Sequence, residues 1–266
     1  MKNIKNLLLQ KLPENITELL ISSGKCAEDM GFRAFMVGGL VRELFLNYEN
    51  YDIDLVVEGD GIRFAEELAR KYRAGIRSYK TFGTAALTLS DGCKVDVATA
   101  RTEIYEHPAA LPKVRPGFIK DDLYRRDFTI NTLAVGLNPD HFGKLLDFFN
   151  ARKDIKRKLI RIIHDLSFID DPTRAFRAVR FEQRFGFRIV KSTEKLIKDV
   201  IEENLFTKLA DYRISSELDL ILREKYPLPA LKRLEELGIL ECIRPRAGNN
   251  REIKRLFDKI DSLFPV

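Results

Sequence analysis

The stretch that decides the fold reads AFMVGGLVRELFLNYENYDIDLVV, from Ala34 to Val57. The apolar run from Arg33 to Val37 predicts a short buried strand that ends at the glycine pair Gly38-Gly39. A helix is expected to open directly off that turn at residues 40–46, and Asp52 to Val57 predicts a second strand. Strand, glycine turn, helix and strand in this order indicate a mixed α/β domain with one sheet.

Two carboxylates lie in the second strand although its other residues are apolar. Residues two apart face the same side of a strand, so Asp52 and Asp54 are expected roughly 6–7 Å apart, where they repel by about 2–3 kcal/mol. Mg²⁺ would relieve that repulsion, because carboxylate oxygens are its usual protein ligands. Asp96, in the apolar segment 94–98, would complete a triad able to hold two metals if its strand is a neighbour. The alternative is that Asp52 and Asp54 are exposed turn residues after Asn50.

The glycine pair suggests a phosphate site. Glycines between a strand and a helix let backbone amides approach an anionic oxygen closely, and the helix N-terminus favours negative charge. Arg42, one turn into the helix, could bind a phosphate bidentately. A double glycine alone is equally compatible with a plain tight turn. The sequence contains neither GxGxxG nor GxxxxGK, which argues against dinucleotide-binding and P-loop sites.

The second half of the chain has a different character. From Pro172 onward the periodicity is helical almost throughout, at residues 172–185, 193–203, 215–223 and 230–237. An α/β head followed by an all-helical segment is therefore expected, with the boundary near residues 150–160.

Composition and charge narrow the class of protein. Lys and Arg number 46 against 40 Asp and Glu, a net charge of +6 that favours polyanionic partners. The longest uncharged stretch, residues 128–139, is too short to span a membrane. Three cysteines without CxxC spacing argue against a disulfide scaffold or a zinc ribbon and fit a reducing cytoplasm.

Taken with three later motifs, these elements resemble the nucleotidyltransferase fold of the polymerase-beta superfamily. Within it, the chain is most similar to class II tRNA nucleotidyltransferases and bacterial poly(A) polymerases. RRDFTIN at residues 125–131 resembles their RRDFTxN motif, DDPTR at 170–174 resembles EDxxR, and RAVRF at 177–181 resembles RAxRF. Glu43 and Asp170 replace the family's usual Asp and Glu with the same charge.

The resemblance implies an α+β fold, with a polymerase-beta-like nucleotidyltransferase head of mixed sheet and helices followed by an all-helical neck and a partial body. We assign the catalytic head to residues 1–155, the neck that recognises the base to 156–224 and the start of a truncated body to 225–266. Relatives commonly continue into tail domains that hold the tRNA elbow. The chain is therefore expected to be a naturally short enzyme, a fragment that lacks a tail domain, or a protein whose partner chain completes the tRNA site.

The resemblance also implies roles for individual residues. Mg²⁺ would be held by Asp52 and Asp54, and Asp96 would be the third catalytic carboxylate, either as a metal ligand or as a general base. Nucleotide binding is implied for one set in the head and one in the neck: Gly38, Gly39, Arg42 and Arg126, then Asp171, Arg174, Arg177 and Arg180. The neck residues recur every three positions, which places them roughly on one side of a helix. Asp171 before Pro172 also reads as an ordinary helix N-cap, and the arginines as a solvated stripe.

The expected reaction is template-independent addition of A or CCA to the 3′ end of tRNA, from ATP and CTP, with release of pyrophosphate. The segment from Thr99 to Pro112 resembles a loop of CCA-adding and A-adding members and favours these over CC-adding enzymes. A poly(A) polymerase is the alternative reading, and a non-catalytic RNA-binding module is a third. A cytoplasmic location without membrane association is expected.

Overall fold

The computed structural model describes residues 2–46, 48 and 52–264, and these divide into two compact units. The first unit comprises the chain up to Ile104 together with Val114–Ile155. The second comprises Tyr105–Lys113 and the chain from Lys156 onward. Asn50 and the last two residues of the expected body segment lie outside the described residues, and the division into head, neck and body stays a prediction.

The first part of the chain contains both helices and strands, as the sequence predicts. The elements are α1 (Lys5–Lys11), α2 (Glu14–Asp29), β1 (Arg33–Val37), α3 (Gly38–Leu46), β2 (Ile53–Glu58), α4 (Gly61–Tyr72), β3 (Gly75–Tyr79), β4 (Thr84–Thr88), β5 (Lys94–Thr99), β6 (Arg101–Ile104), β7 (Lys113–Pro116), α5 (Ile119–Tyr124), β8 (Leu133–Gly136), β9 (Leu145–Asp147) and α6 (Ala151–Arg157).

Helices dominate the rest of the chain. They are α7 (Ser167–Asp170), α8 (Arg174–Phe185), α9 (Lys191–Glu202), α10 (Asp211–Leu222), α11 (Pro227–Glu236), α12 (Ile239–Ile243) and α13 (Arg251–Leu263). Two short strands, β10 (Leu159–Ile160) and β11 (Arg188–Ile189), form a parallel pair. Short 3₁₀ turns occupy 80–82, 129–131, 139–141, 205–208 and 244–248. No helix among the described residues is long and apolar enough to cross a bilayer.

The first unit is built on a seven-stranded mixed sheet of strand order β3-β4-β5-β2-β1-β8-β9. Strands β2 and β5 are parallel, and the other neighbouring pairs are antiparallel. The expected mixed α/β head with one main sheet is therefore confirmed. The sequence did not predict β3, β8 and β9, because β8 and β9 have only four and three residues and β3 has no buried residue to give an apolar pattern.

The two faces of the sheet differ in what covers them. Helix α4 packs against β4 and β5 through its apolar residues. Asp60 caps the N-terminus of this helix, because its side chain accepts hydrogen bonds from the backbone N–H groups of Ile62 and Arg63 at 3.0 and 3.1 Å. On the other face, a buried cluster joins the sheet to α5 and its flanks: Phe35, Val37, Val56, Ala100, Ile119, Leu123 and Ala134. Asp54, two residues before Val56, lies on this second face.

The core of the second unit is formed around α8. Phe176 is fully buried and packs edge-on against Phe206, with ring centroids 5.6 Å apart. Helices α10 and α11 both pack against α8. Helix α8 starts at Arg174, two residues later than the periodicity predicts, because Pro172 and Thr173 form the turn that precedes it.

Candidate active site

Two of the three predicted carboxylates are direct neighbours in the sheet. Strands β2 and β5 pair in parallel with Asp54 opposite Asp96, so the two side chains emerge on the same face about 4.8 Å apart at the backbone. On its other side Asp54 is opposite Val37, the last residue before the glycine pair. The sheet therefore brings the acidic strand, the third acid and the glycine turn to one place.

The Asp54 carboxyl is held in an unfavourable environment for a negative charge. Its pKa is raised to about 6, mainly by burial; the Arg126 and Arg42 guanidiniums oppose the rise, and the neighbouring Asp96 and Asp52 carboxylates add to it. Loss of water and repulsion by two carboxylates both disfavour the ionised form. A divalent cation would offset both effects, so the donor set is compatible with Mg²⁺.

Asp52 and Asp96 are more exposed than Asp54. Asp52 lies immediately before β2 and Asp96 is exposed on β5. Across the part of the chain that the structure describes, no group of three or more His, Cys, Asp or Glu side chains is assembled as a metal cluster. The expected triad is thus present as the Asp54–Asp96 pair with Asp52 at its margin, and its use as a metal site stays a prediction.

The first glycine of the pair is required by the carboxylate beside it. Gly38 has a φ of +75°, and a Cβ built there would lie 2.5 Å from Oδ2 of Asp54 and 3.5 Å from Nη1 of Arg126. A side chain at this position would be strained and would displace the carboxylate. Gly38 also opens α3, and Gly39, half-buried, is the second residue of that helix. The glycines thus lie in the first turn of the helix rather than before it.

The RRDFTIN segment places Arg126 beside Asp54 through a buried ion-pair network. Asp122 of α5 is fully buried, and its two oxygens lie 2.7 Å from Arg125 Nη2 and 3.1 Å from Arg126 Nη2. Burial alone would raise the pKa of Asp122, but Arg126 and Arg125 outweigh it and the pKa is lowered. Arg125 also pairs with Glu103 of β6 at 3.1 Å. The network holds one edge of the Arg126 guanidinium against the Asp122 carboxylate.

Arg42 is held inside the unit rather than presented to solvent. It is 4% exposed, donates to the side-chain oxygen of Asn131, and lies 2.6 Å from Glu43. Asn131 in turn donates to Asp127 at 2.8 Å. The glycine motif and the RRDFTIN motif are therefore joined by hydrogen bonds. The expected bidentate grip of a phosphate by Arg42 would require at least one of these bonds to be exchanged.

In the second unit, Asp171 precedes α8 and is bound from two sides. Its Oδ1 accepts bonds from the Thr173 backbone N–H at 3.0 Å and the Thr173 hydroxyl at 2.6 Å. The same oxygen lies 2.7 Å from Nη2 of Arg213 in α10. Asp171 is thus not the N-cap residue of α8, which is Thr173, but the residue that organises the turn before it.

The three arginines of α8 that the resemblance assigns to nucleotide binding are not a solvated stripe. Arg174 and Arg180 are each 6% exposed, and Arg174 donates to the Ser167 hydroxyl at 2.7 Å. Arg177 and Arg180 lie 3.8 and 3.5 Å from the two oxygens of Glu217, and both stack over the ring of Phe181. Their spacing therefore places Arg177 and Arg180 on one side of the helix, as expected.

Local sequence patterns did not single out the residues that hold these groups in place. Arg213 and Glu217 are four apart on α10 and bind Asp171 and the α8 arginines, and Asp122 lies three and four residues before the arginines it pairs with. Opposite charges three or four apart on a helix were the signal available for Asp122 and Arg126. No local signal relates α10 to Asp171, which is 42 residues away.

The raised pKa of Asp54 predicts a specific pH dependence of stability. A carboxyl whose folded pKa exceeds its ordinary value of 3.8 binds more protons in the folded state, so the stability it contributes falls as pH rises from about 4 to about 6. The loss should reach about 2–3 kcal/mol in the absence of divalent cations. We expect denaturant titrations in chelator to show that wild type loses stability relative to Asp54→Asn across this window. A wild-type-minus-variant difference that is flat from pH 4 to 7 would contradict the assignment.

Comparisons with known proteins find relatives over most of the chain. Residues 34–161 match the family described as the poly A polymerase head domain, and residues 186–248 match the probable RNA and SrmB-binding site of polymerase A. An A-adding tRNA nucleotidyltransferase of Geobacter sulfurreducens is 48% identical over 244 residues, which is 92% of this chain and 28% of that protein. The chain thus spans less than a third of that relative's length.

Two solved structures extend the similarity to three dimensions. A CCA-adding enzyme in an apo form has a TM-score of 0.88 and 44% identity, covering 92% of this chain and 58% of that one. The Thermotoga maritima CCA-adding enzyme complexed with tRNA has a TM-score of 0.82 and 40% identity, covering 92% and 56%. The strand-borne acids, the glycine turn and the RRDFTIN motif lie within the residues that match the head-domain family, and the chain belongs to the class II tRNA nucleotidyltransferase and bacterial poly(A) polymerase family.

Proposed function

We propose that the protein adds nucleotides, A or CCA, to the 3′ end of tRNA without a nucleic-acid template, using ATP or CTP and releasing pyrophosphate. The observation that carries the proposal is the position of Asp54, which lies between the Asp96 carboxylate and the start of α3 with Arg126 beside it. A nucleoside triphosphate and a divalent cation complement this combination of acids, helix N-terminus and guanidinium. The similarity to an A-adding enzyme and to a CCA-adding enzyme bound to tRNA supports the substrate class.

The triphosphate would lie against the first turn of α3. The backbone N–H groups of Gly38 and Gly39 and the side chain of Arg126 would neutralise its oxygens, and Arg42 adds positive charge from the interior. Bound at Asp54 and Asp52, Mg²⁺ would lower the pKa of the RNA 3′-hydroxyl and neutralise charge on the leaving pyrophosphate. Asp96, exposed beside Asp54, is placed to accept the hydroxyl proton or to complete the metal site.

Base recognition is proposed for the second unit. Asp171 offers a carboxylate acceptor and Arg174 a guanidinium donor, and Arg177 and Arg180 hold positive charge on the same helix. Because Thr173 and Arg213 bind only one oxygen of Asp171 in the contacts described, the other oxygen can serve a ligand. The three free thiols fit a reducing compartment, and we propose the cytoplasm as the site of action.

The test is incorporation of labelled nucleotide into tRNA that lacks its terminal residues, with ATP, CTP and Mg²⁺. We expect a product extended by one to three nucleotides and no incorporation in chelator. A long tail of A would instead identify a poly(A) polymerase, the activity named in the family description. Binding of tRNA without incorporation would identify a non-catalytic RNA-binding module and contradict the proposal.

A further inference from the structure

The strand register places one arginine in line with the two catalytic acids. Arg77 on β3 is opposite Ala86 on β4, Ala86 is opposite Asp96 on β5, and Asp96 is opposite Asp54 on β2. Residues directly opposite each other point to the same face of a sheet. Arg77 therefore emerges on the face of the sheet that carries Asp54 and Asp96, which we call the catalytic face. Its backbone lies about 10 Å from that of Asp96 and about 14 Å from that of Asp54, since neighbouring strands lie about 4.8 Å apart.

This part of the catalytic face is open to solvent. Residues that alternate with the row, such as Ala85 and Leu87, are buried on the α4 side, whereas Thr88 on the catalytic side is exposed and Ala86 is half-buried. All five residues of β3 are exposed. The side chains of β4 on this face are small, at Thr84, Ala86 and Thr88, and they lie between Asp96 and the edge of the sheet.

This surface carries two positive charges that form no ion pair with the described residues. Arg77 and Lys94 are exposed, and neither side chain makes a hydrogen bond or ion pair with any residue in the described ranges. Lys94 lies two residues before Asp96 and so shares its face. No acidic residue occurs between Glu67 and Asp91. The positive charges of Arg77 and Lys94 are therefore available to an anionic ligand that also reaches Asp96.

Tyr79 adds an aromatic surface to the same face. It lies two residues after Arg77, is 47% exposed, and is opposite Thr84 on β4. An exposed ring beside unpaired cations is the arrangement that binds single-stranded nucleic acid, with a base stacked on the ring and phosphates on the cations. We call Arg77, Tyr79 and Lys94 the β3 ledge.

The chemistry of the proposed function decides which phosphates the ledge would hold. In phosphoryl transfer the attacking oxygen and the leaving group lie roughly in line on opposite sides of the phosphorus. The start of α3 and Arg126 lie on the β1 side of Asp54, so a triphosphate there leaves the β5 side to the attacking hydroxyl. The strand that carries this hydroxyl would then continue past Asp96 onto the ledge.

We propose that the β3 ledge binds the single-stranded 3′ end of the RNA acceptor, with Arg77 and Lys94 contacting its backbone phosphates and Tyr79 stacking on a base. This inference rests on the proposed function. It specifies where the RNA substrate lies relative to the acids, which the nucleotide-binding motifs do not.

The experiment compares Arg77→Glu with Arg63→Glu in the full chain. Arg63 is an exposed cation on α4, on the opposite side of the sheet, and gives the same change in net charge. We expect Arg77→Glu to raise the KM for tRNA lacking its terminal residues at least about tenfold, with the KM for ATP unchanged, and Arg63→Glu to behave as wild type. The salt dependence of RNA binding should lose about one unit of slope. Tyr79→Ala should weaken binding of a single-stranded RNA ending in CC about fivefold or more.

The outcomes separate the ledge from the proposed function. Equal KM values for tRNA in Arg77→Glu and Arg63→Glu would overturn the ledge, and so would a rise in the KM for ATP, which would assign Arg77 to the triphosphate. If wild type bound the RNA oligonucleotide but transferred nothing, with binding weakened by Arg77→Glu only, the proposed function would fail and the ledge would stand. Thermal unfolding and Arg77→Gln, which keeps a polar side chain of similar size, exclude misfolding as the cause.

Discussion

Replacing Asp54 with alanine should reduce nucleotide transfer about a thousandfold or more and leave the chain folded. The carboxylate lies beside Asp96 and the start of α3, where a bound cation would neutralise the triphosphate, and loss of such charge stabilisation costs at least about 4 kcal/mol in the transition state. Removing a half-buried carboxyl that burial and two neighbours disfavour should also slightly stabilise the metal-free protein. Single-turnover incorporation with saturating ATP measures the first effect and thermal unfolding in chelator the second.

Asp29→Ala is the matched control for this variant. Asp29 is an exposed aspartate at the end of α2, away from the catalytic face, and its replacement should leave transfer unchanged. Asp52→Ala should also abolish transfer, since the resemblance assigns it the same cation. If either Asp54→Ala or Asp52→Ala kept more than about a tenth of the wild-type rate, that residue would lose its proposed role as a metal ligand.

Replacing Asp171 or Arg174 with alanine should lower the rate with ATP and CTP and narrow the discrimination against UTP and GTP. Cytosine and adenine present an exocyclic amine beside a ring-nitrogen acceptor, which suit a carboxylate and a guanidinium respectively. Uracil and guanine present a carbonyl and an N–H at these positions, so both contacts become repulsive. Each lost contact is worth about 1–3 kcal/mol, so discrimination should fall about tenfold to a hundredfold in ratios of kcat/KM for the four nucleotides.

Two further variants separate base reading from support of the fold. Arg188→Ala removes an exposed arginine of the same unit and should change neither rate nor selectivity. Arg213→Ala removes the 2.7 Å partner of Asp171 and should narrow the discrimination less than Asp171→Ala does, because the carboxylate remains but is less well positioned. Wild-type selectivity in Asp171→Ala would move base reading elsewhere and leave Asp171 as the residue that organises the turn before α8.

Local sequence patterns were sufficient to predict the strands that carry the acidic and glycine motifs. β1 begins at Arg33 and ends at Val37, as the apolar run predicts, because a strand buried within a sheet shows a short continuous apolar run. The acids in β2 and β5 were recognisable for the same reason, since a charge inside an apolar strand requires a compensating partner. The alternative reading of Asp171 as a helix N-cap was wrong for a local reason: its side chain supports the turn before α8, and Thr173 is the N-cap residue.

Tertiary structure alone decided how those residues are arranged. Residue spacing indicates which side chains share a face of one strand, but it does not indicate which strands pair. The neighbours of Asp54 are 17 and 42 residues away, at Val37 and Asp96, and the sheet order that joins them depends on long-range burial. The same holds for the contact of Arg213 with Asp171 and for the position of Arg77 in line with the acids.

The sequence by itself determined the chemistry of this protein, namely acids, glycines and arginines in a recognisable order. Strand pairing and helix packing determined which of these groups face one another, because contacts distant in the chain are set by the packing of the whole sheet and not by any local pattern.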